Sequence, residues 1–357
     1  MSIVISKPFF PPIEEYQNYI SKIWENGILT NNGTFEHELQ NKLKAYFGVK
    51  HLILCSNGTI ALQLAIRALE IKGEIITTPL SYVATLNSII WENCTPVFVD
   101  INSENLCIDS TKIEAKITSN TKAILATHLF GHSCDIDAIE AIANKHNVSV
   151  IYDGAHAFGT QYKQQSVLKS GTISTCSFHA TKLFHTIEGG CIITDDDTLA
   201  LKISILKNHG MLENKFHALG TNARLSEVNA AMGLCNLNYA DTILKKRKQD
   251  SLYYQKLLEK YPIQYPLTTK NETYNYAYFP LLFSSEIILL NIDKKLKENQ
   301  IFGKRYFYPS LNTLEYVNYS SCPVSEEISK RMYCLPINFD MSNKDIELIC
   351  SIITSCL

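Results

Sequence analysis

The chain has 357 residues, of which 46% are hydrophobic and 19% charged, a composition that permits a large buried core and excludes a disordered protein. Its 33 Lys and Arg residues against 35 Asp and Glu residues give a formal net charge of −2, which removes the electrostatic basis for a general nucleic-acid binder. The length predicts one large and one small domain.

The first residues, MSIVISKPFFPPIEEY, contain Lys7 within a short apolar stretch and prolines after it, so we expect neither a signal peptide nor a membrane-spanning helix. The 11 cysteines are odd in number and show no CxxC spacing. We therefore expect a cytoplasmic protein with reduced thiols, in which cysteines act as small buried hydrophobes, and we expect no metal site.

Short apolar runs alternate with helical stretches between about residues 51 and 195. This alternation predicts parallel strands joined by crossover helices, and hence an α/β domain. The last two runs have no full helix between them, so we expect the order of strands to change there, where ligands of open α/β sheets gather. The runs predicted as strands are HLILCS (51–56), EIITTP (74–79), PVFVDI (96–101), KAILATHLF (122–130), VSVIYD (148–153), TISTCSF (172–178) and GGCIITD (189–195).

The pattern changes after Leu225 to one long helical stretch that ends near residue 261, which predicts a connector between two domains. Its basic run LKKRKQ (244–249) is interpreted as a solvated helix face. The remaining residues mix strand and helix patterns. We therefore predict a large domain over residues 1–240 and a small α+β domain over residues 241–357.

Two strand ends carry polar residues that could bind a ligand. Gly58 and Thr59 follow the first strand and begin a helix, whose free amides could bind an anion, although an ordinary Asn-Gly turn fits the same residues. Asp153 ends another strand and is followed three residues later by His156. The Asp153 carboxylate could hold a proton on a ring nitrogen, or the two residues could be a helix cap and a structural histidine.

Lys182 lies between two predicted strands among small, aromatic and apolar residues, five positions after Ser177. Burial would lower the pKa of such a lysine toward that of a nucleophilic amine. A turn that can bind phosphate, an acid at a strand end and a desolvated lysine are together the groups that pyridoxal phosphate requires. The combination predicts that cofactor more strongly than any of its parts.

With these residues in these positions, the chain resembles the nucleotide-sugar aminotransferases of the DegT/StrS type. The resemblance implies the fold of type I transferases that use pyridoxal phosphate (aspartate aminotransferase-like), with a mixed, mostly parallel seven-stranded sheet in the large domain. The segments that carry it are collinear over nearly the whole chain: KPFFPP, LTNNGTFEHEL, SNGTIALQLA, TTPLSYVAT, TPVFVDI, THLFGHSCD, YDGAHAFG, SFHATKLFHTIEGG, GTNARLSEVNAAMG and CPVSEEISKRMYCLP.

The resemblance implies a role for each matching position. Lys182 would form the Schiff base with the cofactor and later move the proton. Asp153 would pair with the pyridinium nitrogen, and His156 with the phenolic oxygen of the ring. Tyr82 would stack on the ring.

The phosphate of the cofactor would be bound by Gly58, Thr59, Ser177 and Asn222, again by resemblance. In relatives, the residue matching Asn222 reaches across from a second subunit, which implies a homodimer with shared active sites. A turn or helix-cap role is an alternative for Asn222.

The resemblance also implies the reaction. The segments around Lys182 and the LTNNG turn are most similar to family members that aminate C4 of a dTDP-4-keto-6-deoxy sugar with L-glutamate, for O-antigen or other surface glycans. Amination at C3, a UDP-sugar or GDP-sugar substrate, and a non-catalytic regulator that binds the cofactor are the alternatives. Thr30, Asn31, Asn32, Arg305 and Tyr306 match segments that approach the sugar in relatives, but a polar turn and a solvated helix-end charge fit them equally well.

Overall fold

The computed structural model describes residues 2–5 and 7–357. Its strands are β1 (Ile3–Val4), β2 (His51–Cys55), β3 (Glu74–Thr77), β4 (Thr95–Phe98), β5 (Thr121–Thr127), β6 (Ser149–Asp153), β7 (Gln161–Tyr162), β8 (Gln165–Ser166), β9 (Ile173–Ser177), β10 (Gly190–Thr194), β11 (Met211–Leu212), β12 (Lys215–Phe216), β13 (Glu272–Thr273), β14 (Phe279–Leu282), β15 (Ile301–Phe302) and β16 (Met332–Leu335). Its α-helices are α1 (Ile13–Asn26), α2 (Thr34–Phe47), α3 (Gly58–Ala68), α4 (Val83–Trp91), α5 (Ser110–Ile113), α6 (Ile136–His146), α7 (Asp197–Leu206), α8 (Glu227–Leu237), α9 (Ala240–Leu258), α10 (Glu286–Glu298), α11 (Pro323–Arg331) and α12 (Asn343–Thr354).

A seven-stranded sheet in the order β2-β10-β9-β6-β5-β3-β4 forms the centre of the fold. β10 runs antiparallel to both of its neighbours, and the other pairs are parallel. The predicted strands between residues 51 and 195 are the strands of this sheet, so the mostly parallel α/β sheet and its change at the last two runs are confirmed. Parallel pairing of β6 with β9 brings Asp153 and Ser177 to the same end of the sheet.

Helices cover both faces of the sheet. Ile124 of β5 belongs to the apolar cluster that contains residues of α2 and α8, whereas the next residue, Leu125, belongs to the cluster that contains residues of α3 and α7. Successive side chains of a strand point to opposite faces, so these are two cores with the sheet between them. Burial on both faces explains why apolar residues occur on both faces of these strands and do not alternate strictly with polar ones.

The C-terminal part of the chain has its own core, in which α9, α10 and α12 pack with the antiparallel pair of β14 and β16. Ile3 of β1 pairs with Ile301 of β15 and packs on this core. The first residues, which the sequence analysis assigns to the large domain, thus pair with the C-terminal part because their apolar side chains are covered there. The domain boundary near residue 240 stays a prediction.

The long helical stretch predicted after Leu225 is wrong in one respect, because it is two helices. α8 ends at Leu237, and the amides of Asn238 and Tyr239 each bond to the carbonyl three residues earlier before α9 begins. Such tight bonds close the end of a helix. Asn has a low helix propensity, so the break falls at a weak position.

The basic run at 244–249 is only partly solvated. Lys245 and Lys248 are exposed as predicted, but Arg247 is buried and donates through Nη1 to the carbonyl of Ala277 at 2.7 Å. Burial lowers the pKa of Arg247 to about 10. A helix turns about 100° per residue, so a run of this length also places a side chain on the buried face.

No helix within residues 2–5 and 7–357 is long and apolar enough to cross a membrane. Over the same part of the chain, no three His, Cys, Asp or Glu side chains form a group that could hold a metal ion. The cysteines are free thiols and nearly all are buried, as predicted. One of them, Cys176, has a pKa that burial raises to about 12. The cytoplasmic location stays a prediction.

Candidate active site

One cavity of about 730 Å³ opens beside the carboxyl ends of β6 and β9, and its lining includes every residue that the sequence analysis selected for the cofactor. Strand ends and helix starts converge at this end of the sheet, which brings segments distant in sequence together. The roles of the individual residues stay predictions. The selected residues that line the cavity are Gly58, Thr59, Tyr82, Asp153, His156, Ser177, Lys182 and Asn222.

The start of α3 forms one wall of the cavity. Asn57 caps the helix by accepting a hydrogen bond from the Ile60 amide at 2.8 Å. The amides of Gly58 and Thr59 have no partner within the helix and are available to an anion. A Cβ atom on Gly58 would lie 2.8 Å from Cβ of Ser177, so only glycine allows the helix start to approach β9 this closely. This wall fits the phosphate of the predicted cofactor.

Asp153 supplies a fixed, buried carboxylate at the end of β6. It accepts hydrogen bonds from the Thr85 hydroxyl at 2.7 Å and from the Ala155 amide at 3.0 Å. The Thr85 hydroxyl lies 2.7 Å from that of Ser81, which lies 3.0 Å from that of Thr127. A carboxylate oriented in this way fits a protonated ring nitrogen. The role of Thr85 was not predicted from the sequence, because a threonine inside a helix gives no local signal.

Lys182 lies in the loop that joins β9 to β10. The loop is closed by a hydrogen bond from the amide of Phe178 to the carbonyl of Gly189 at 2.8 Å. Burial lowers the pKa of Lys182, and the negative charge of Asp153 opposes this effect. A lower pKa increases the neutral, nucleophilic fraction of the amine, as the sequence analysis predicts. The Lys182 ammonium donates a hydrogen bond to the hydroxyl of Tyr278 at 3.3 Å. Tyr278 was not predicted from the sequence as a residue of the site.

His156 presents a neutral imidazole to the cavity. Its Nδ1 accepts a hydrogen bond from the Phe130 amide at 3.1 Å, and its ring is stacked on Phe307 with centroids 5.8 Å apart. Burial and, to a smaller extent, Lys182 hold the pKa of His156 well below its usual value. With Nδ1 accepting, the neutral ring carries its proton on Nε2. That nitrogen can donate to an oxygen of a bound ring.

Two of the selected residues lie at the rim of the cavity. Tyr82 precedes the first residue of α4, and its side chain is 55% exposed with its ring 6.3 Å from that of Phe307. Asn222 is exposed, and its side-chain oxygen accepts a hydrogen bond from Arg224 at 3.1 Å. Both residues line the cavity of their own chain. Stacking by Tyr82 and the reach of Asn222 into a second subunit stay predictions.

The segment KRYFYP lines the cavity with Lys304, Tyr306 and Phe307, whereas Arg305 is not among the lining residues. Arg305 pairs with Glu286 at 2.6 Å and donates to the carbonyl of Lys330 at 2.9 Å. These contacts favour a structural role for Arg305 over binding of the substrate. Tyr306 lines the cavity, and so does Lys304, whose ammonium lies 4.8 Å from the centre of the Tyr306 ring. Lys304 is a further cation of the site that the sequence analysis missed, because neighbouring Arg305 looked like the better anion ligand.

The LTNNG turn lies at a different cavity, of about 430 Å³. Asn31 and Asn32 have left-handed backbones with φ of 70° and 58°, which asparagine tolerates. The amide of Asn32 donates to the Glu36 carboxylate at 3.0 Å. Within one chain, the structure therefore favours the reading of a polar turn for these residues.

Comparison with known proteins identifies the family. The model of the DegT/DnrJ/EryC1/StrS aminotransferase family matches residues 12–354. The chain is 42% identical over 359 residues to the dTDP-4-amino-4,6-dideoxy-D-glucose transaminase of Shigella dysenteriae, with 98% of each chain covered. It is 37% identical to the Escherichia coli protein of that name, with 96% of this chain and 95% of the relative covered. A GDP-perosamine synthase of Escherichia coli O157:H7 is 31% identical, with 94% and 93% covered.

Solved structures share the whole fold. DesI, crystallised in the presence of its TDP-sugar product, has a TM-score of 0.94 and 27% identity over 99% of this chain and 93% of its own. The Helicobacter pylori aminotransferase PseC, involved in the biosynthesis of pseudoaminic acid, has a TM-score of 0.93 and 26% identity over 100% and 99%. These matches confirm the predicted fold class, enzyme class and pyridoxal phosphate cofactor. The chain therefore belongs to the DegT/DnrJ/EryC1/StrS aminotransferase family.

Proposed function

We propose that this chain transfers the amino group of L-glutamate to C4 of dTDP-4-keto-6-deoxy-D-glucose, giving dTDP-4-amino-4,6-dideoxy-D-glucose and 2-oxoglutarate. One observation carries the proposal: Lys182, Asp153 and His156 converge on one cavity in a chain that is 42% identical to a transaminase of that name. The resemblance of the segments around Lys182 further supports O-antigen or another surface glycan as the destination of the amino sugar.

Asp153 and His156 would hold the two sides of the cofactor ring. When bound, pyridoxal phosphate supplies a ring that accepts electrons from the carbon whose C–H bond is broken. Asp153 would keep the ring nitrogen protonated, since its carboxylate is already oriented by Thr85 and Ala155. His156 would donate its Nε2 hydrogen to the ring oxygen, because Nδ1 is occupied by the Phe130 amide.

Lys182 would hold the cofactor between turnovers and move protons during them. After the amino donor has displaced it, its free amine would accept the proton from Cα of glutamate, and in the second half of the reaction it would deliver a proton to C4 of the sugar. The neutral amine is needed to bond to the cofactor and to accept the proton from glutamate. The lowered pKa of Lys182 supports this assignment.

The phosphate would be held by the amides of Gly58 and Thr59 and by the Ser177 hydroxyl. We extend the proposal to a homodimer in which Asn222 of each chain completes the phosphate site of the other. Support comes from the surroundings of Asn222, where the side chain of Leu219 is 79% exposed. A second copy of the chain would cover such an apolar side chain.

A GDP-linked keto sugar is the second candidate substrate, because the 31% identity to a GDP-perosamine synthase extends over 94% of this chain. Such an enzyme would keep every cofactor residue and differ in the sugar pocket. Amination at C3 is less favoured, because the segment HATKL around Lys182 is most similar to that of family members that aminate C4. A non-catalytic regulator is less favoured, because the chain is 42% identical over nearly its whole length to a protein named as a transaminase.

Product analysis tests these alternatives directly. The protein with pyridoxal phosphate and L-glutamate is incubated separately with dTDP-4-keto-6-deoxyglucose, its 3-keto isomer and a GDP-linked 4-keto-6-deoxy sugar, and the products are identified by mass spectrometry and NMR. We expect amination of the dTDP-linked 4-keto sugar and, from the couplings at C4, an equatorial amine. The Lys182→Ala variant is the matched control and should give no product. Exclusive amination of another sugar would refute the assigned substrate.

A further inference from the structure

The amine of Lys182 has a partner that the proposed mechanism does not use. Its Nζ lies 3.3 Å from the Tyr278 hydroxyl and 5.9 Å from the centre of the Tyr278 ring, so it approaches the hydroxyl and not the face of the ring. No salt bridge to Lys182 is found among residues 2–5 and 7–357. The phenol is therefore the group positioned to control where this amine lies.

The ring of Tyr278 is fixed by aromatic neighbours. The ring of His156 packs against it at 4.8 Å and 61°, that of Phe130 at 5.5 Å and that of Tyr306 at 5.7 Å. A ring held by three others loses little further freedom when its hydroxyl makes a hydrogen bond. The hydroxyl of Tyr278 is therefore held in a fixed place, which a residue that positions another side chain requires.

The backbone that carries Tyr278 is also fixed. The Tyr274 hydroxyl donates to the Tyr278 carbonyl at 3.1 Å, and the buried Arg247 donates to the carbonyl of Ala277 at 2.7 Å. Strand β14 of the C-terminal part begins at the next residue, Phe279. The phenol therefore reaches from the C-terminal part of the chain to the lysine in the loop between β9 and β10.

The ionisation of the two groups suits a shared hydrogen bond. Burial raises the pKa of Tyr278, so the phenol keeps its proton, while burial lowers the pKa of Lys182. A phenol can accept from an ammonium and donate to a neutral amine. Titratable groups that face the amine are Asp153, Cys176, Tyr82 and His156, and those that face the phenol are Arg247, Cys334 and Tyr306.

We propose that Tyr278 is a positioning residue that holds the Lys182 amine beside the reacting carbon whenever this amine is not bound to the cofactor. The inference rests on the proposed function in one respect, namely that Lys182 transfers the proton. A free lysine side chain has many rotamers, and a single fixed partner at its end removes most of them. Tyr278 forms no covalent bond and keeps its proton throughout.

The first test needs neither sugar nor amino donor, so its outcome is independent of the proposed substrates. In enzyme loaded with pyridoxamine phosphate the Lys182 amine is free, and its acetylation by acetic anhydride is followed against pH by mass spectrometry of the peptide. A hydrogen bond from an ammonium is stronger than one to a neutral amine, so removing the phenol should lower the pKa of Lys182. We expect Tyr278→Phe to move the midpoint to lower pH by about one unit.

Two further variants make this test specific. Tyr276→Phe changes a tyrosine in the same segment whose ring packs against that of Tyr274 at 4.8 Å, and it should leave the midpoint at the wild-type pH. Tyr278→His restores a ring with a donor and an acceptor and should bring the midpoint part of the way back. Equal midpoints in the wild type and both Tyr278 variants would overturn the inference.

The second test separates positioning from binding in the working enzyme. For Tyr278→Phe we expect a kcat about tenfold lower with the KM for glutamate changed less than about twofold, because the lost hydrogen bond acts on the proton transfer. The acid limb of the pH profile of kcat should move to lower pH in parallel with the acetylation midpoint. An unchanged kcat and pH profile would contradict the inference, whereas absence of wild-type activity with glutamate would contradict only the proposed function.

Discussion

The hydroxyl of Thr85 donates a 2.7 Å hydrogen bond to the carboxylate of Asp153, which lies 68 positions later in the chain. Helix α4 brings Thr85 to the end of β6, and the hydroxyls of Ser81 and Thr127 continue the polar contacts behind it. All of these side chains are buried. The carboxylate is therefore oriented by the protein itself, an arrangement that preorganises a binding group before its ligand arrives.

Removing this hydroxyl should impair catalysis without unfolding the protein. We expect Thr85→Val to lower kcat about tenfold, because a hydrogen bond to a charged group stabilises it by about 1.5–3 kcal/mol and part of that remains through the Ala155 amide. Thr85→Ser keeps the hydroxyl and serves as the control. Asp153→Asn should lose more, about a hundredfold or beyond. Steady-state rates at saturating cofactor measure all three, and a wild-type kcat for Thr85→Val would contradict the role of this bond.

The sequence predicts those site residues that stand where an element starts or ends. Gly58 begins a helix and Asp153 ends a strand, so local patterns place both at the ligand-binding end of the sheet. Thr85 lies inside a helix and Tyr278 lies in a segment rich in aromatic residues, so neither stands out in the sequence. Their contacts with Asp153 and Lys182 exist only in the folded chain. Their roles could not be predicted from one sequence.

In the fold, too, features marked by a local sequence pattern are predicted, and contacts between distant residues are not. Apolar runs that alternate with helical stretches predict the seven-stranded sheet because most residues of its strands are buried. The pairing of Ile3 with Ile301 is a contact between the two ends of the chain, and no local pattern reports it. The inward direction of Arg247 also depends on which face of α9 is covered, here by the segment that carries Ala277.

Lys304 should contribute to the binding of an anionic substrate, whereas its neighbour Arg305 should not. Lys304 lines the cavity, and Arg305 is paired with Glu286. We expect Lys304→Met to raise the KM for the sugar nucleotide about tenfold with little change in kcat, because a cation near a diphosphate favours binding in both ground and transition states. Arg305→Met should instead lower the melting temperature. Reversed effects in the two variants would show that the diphosphate is bound by Arg305.

Mixing two inactive variants tests whether active sites are shared. Asn222→Ala should weaken retention of the cofactor, and Lys182→Ala should abolish turnover. If Asn222 serves the partner subunit, a mixed dimer contains one site with both native residues, so mixing should restore up to about half of the wild-type activity per mixed dimer. The assay is run at low cofactor concentration after the subunits have exchanged. Mixtures that stay inactive would show that Asn222 acts within its own chain.

His128 should make the protein less stable in mild acid. Its ring is buried against Tyr152 with centroids 4.6 Å apart, its Nδ1 accepts from the Cys134 amide, and burial lowers its pKa to about 4. Below the ordinary pKa of about 6.5 the unfolded chain binds a proton that the folded chain does not, so the free energy of unfolding falls as pH falls from about 6.5 to 4. His156 acts in the same direction.

The magnitude is about 1.4 kcal/mol per pH unit for each histidine while its unfolded form is protonated and its folded form is neutral. Urea unfolding at several pH values measures the slope. His128→Asn keeps an acceptor for the Cys134 amide and should show a smaller slope than the wild type. His37→Asn, at an exposed histidine, should leave the slope unchanged. Equal slopes for His128→Asn and the wild type would contradict the buried neutral state.

The ion pair of Lys207 with Glu36 should be important for stability because both side chains are buried. Their side chains are 6% and 3% exposed, and the Lys207 ammonium donates to Glu36 at 2.9 Å and to the Leu54 carbonyl at 3.0 Å. Lys207→Met leaves the Glu36 carboxylate buried without its cation, so we expect the free energy of unfolding to fall by about 3–5 kcal/mol. Adding Glu36→Gln to that variant should recover part of the loss, because the uncompensated charge is gone.

Lys163→Met breaks an exposed pair with Asp137 and should change stability by less than about 1 kcal/mol. Urea unfolding of the four proteins decides the point, since equal losses for Lys207→Met and Lys163→Met would mean that burial does not strengthen the first pair.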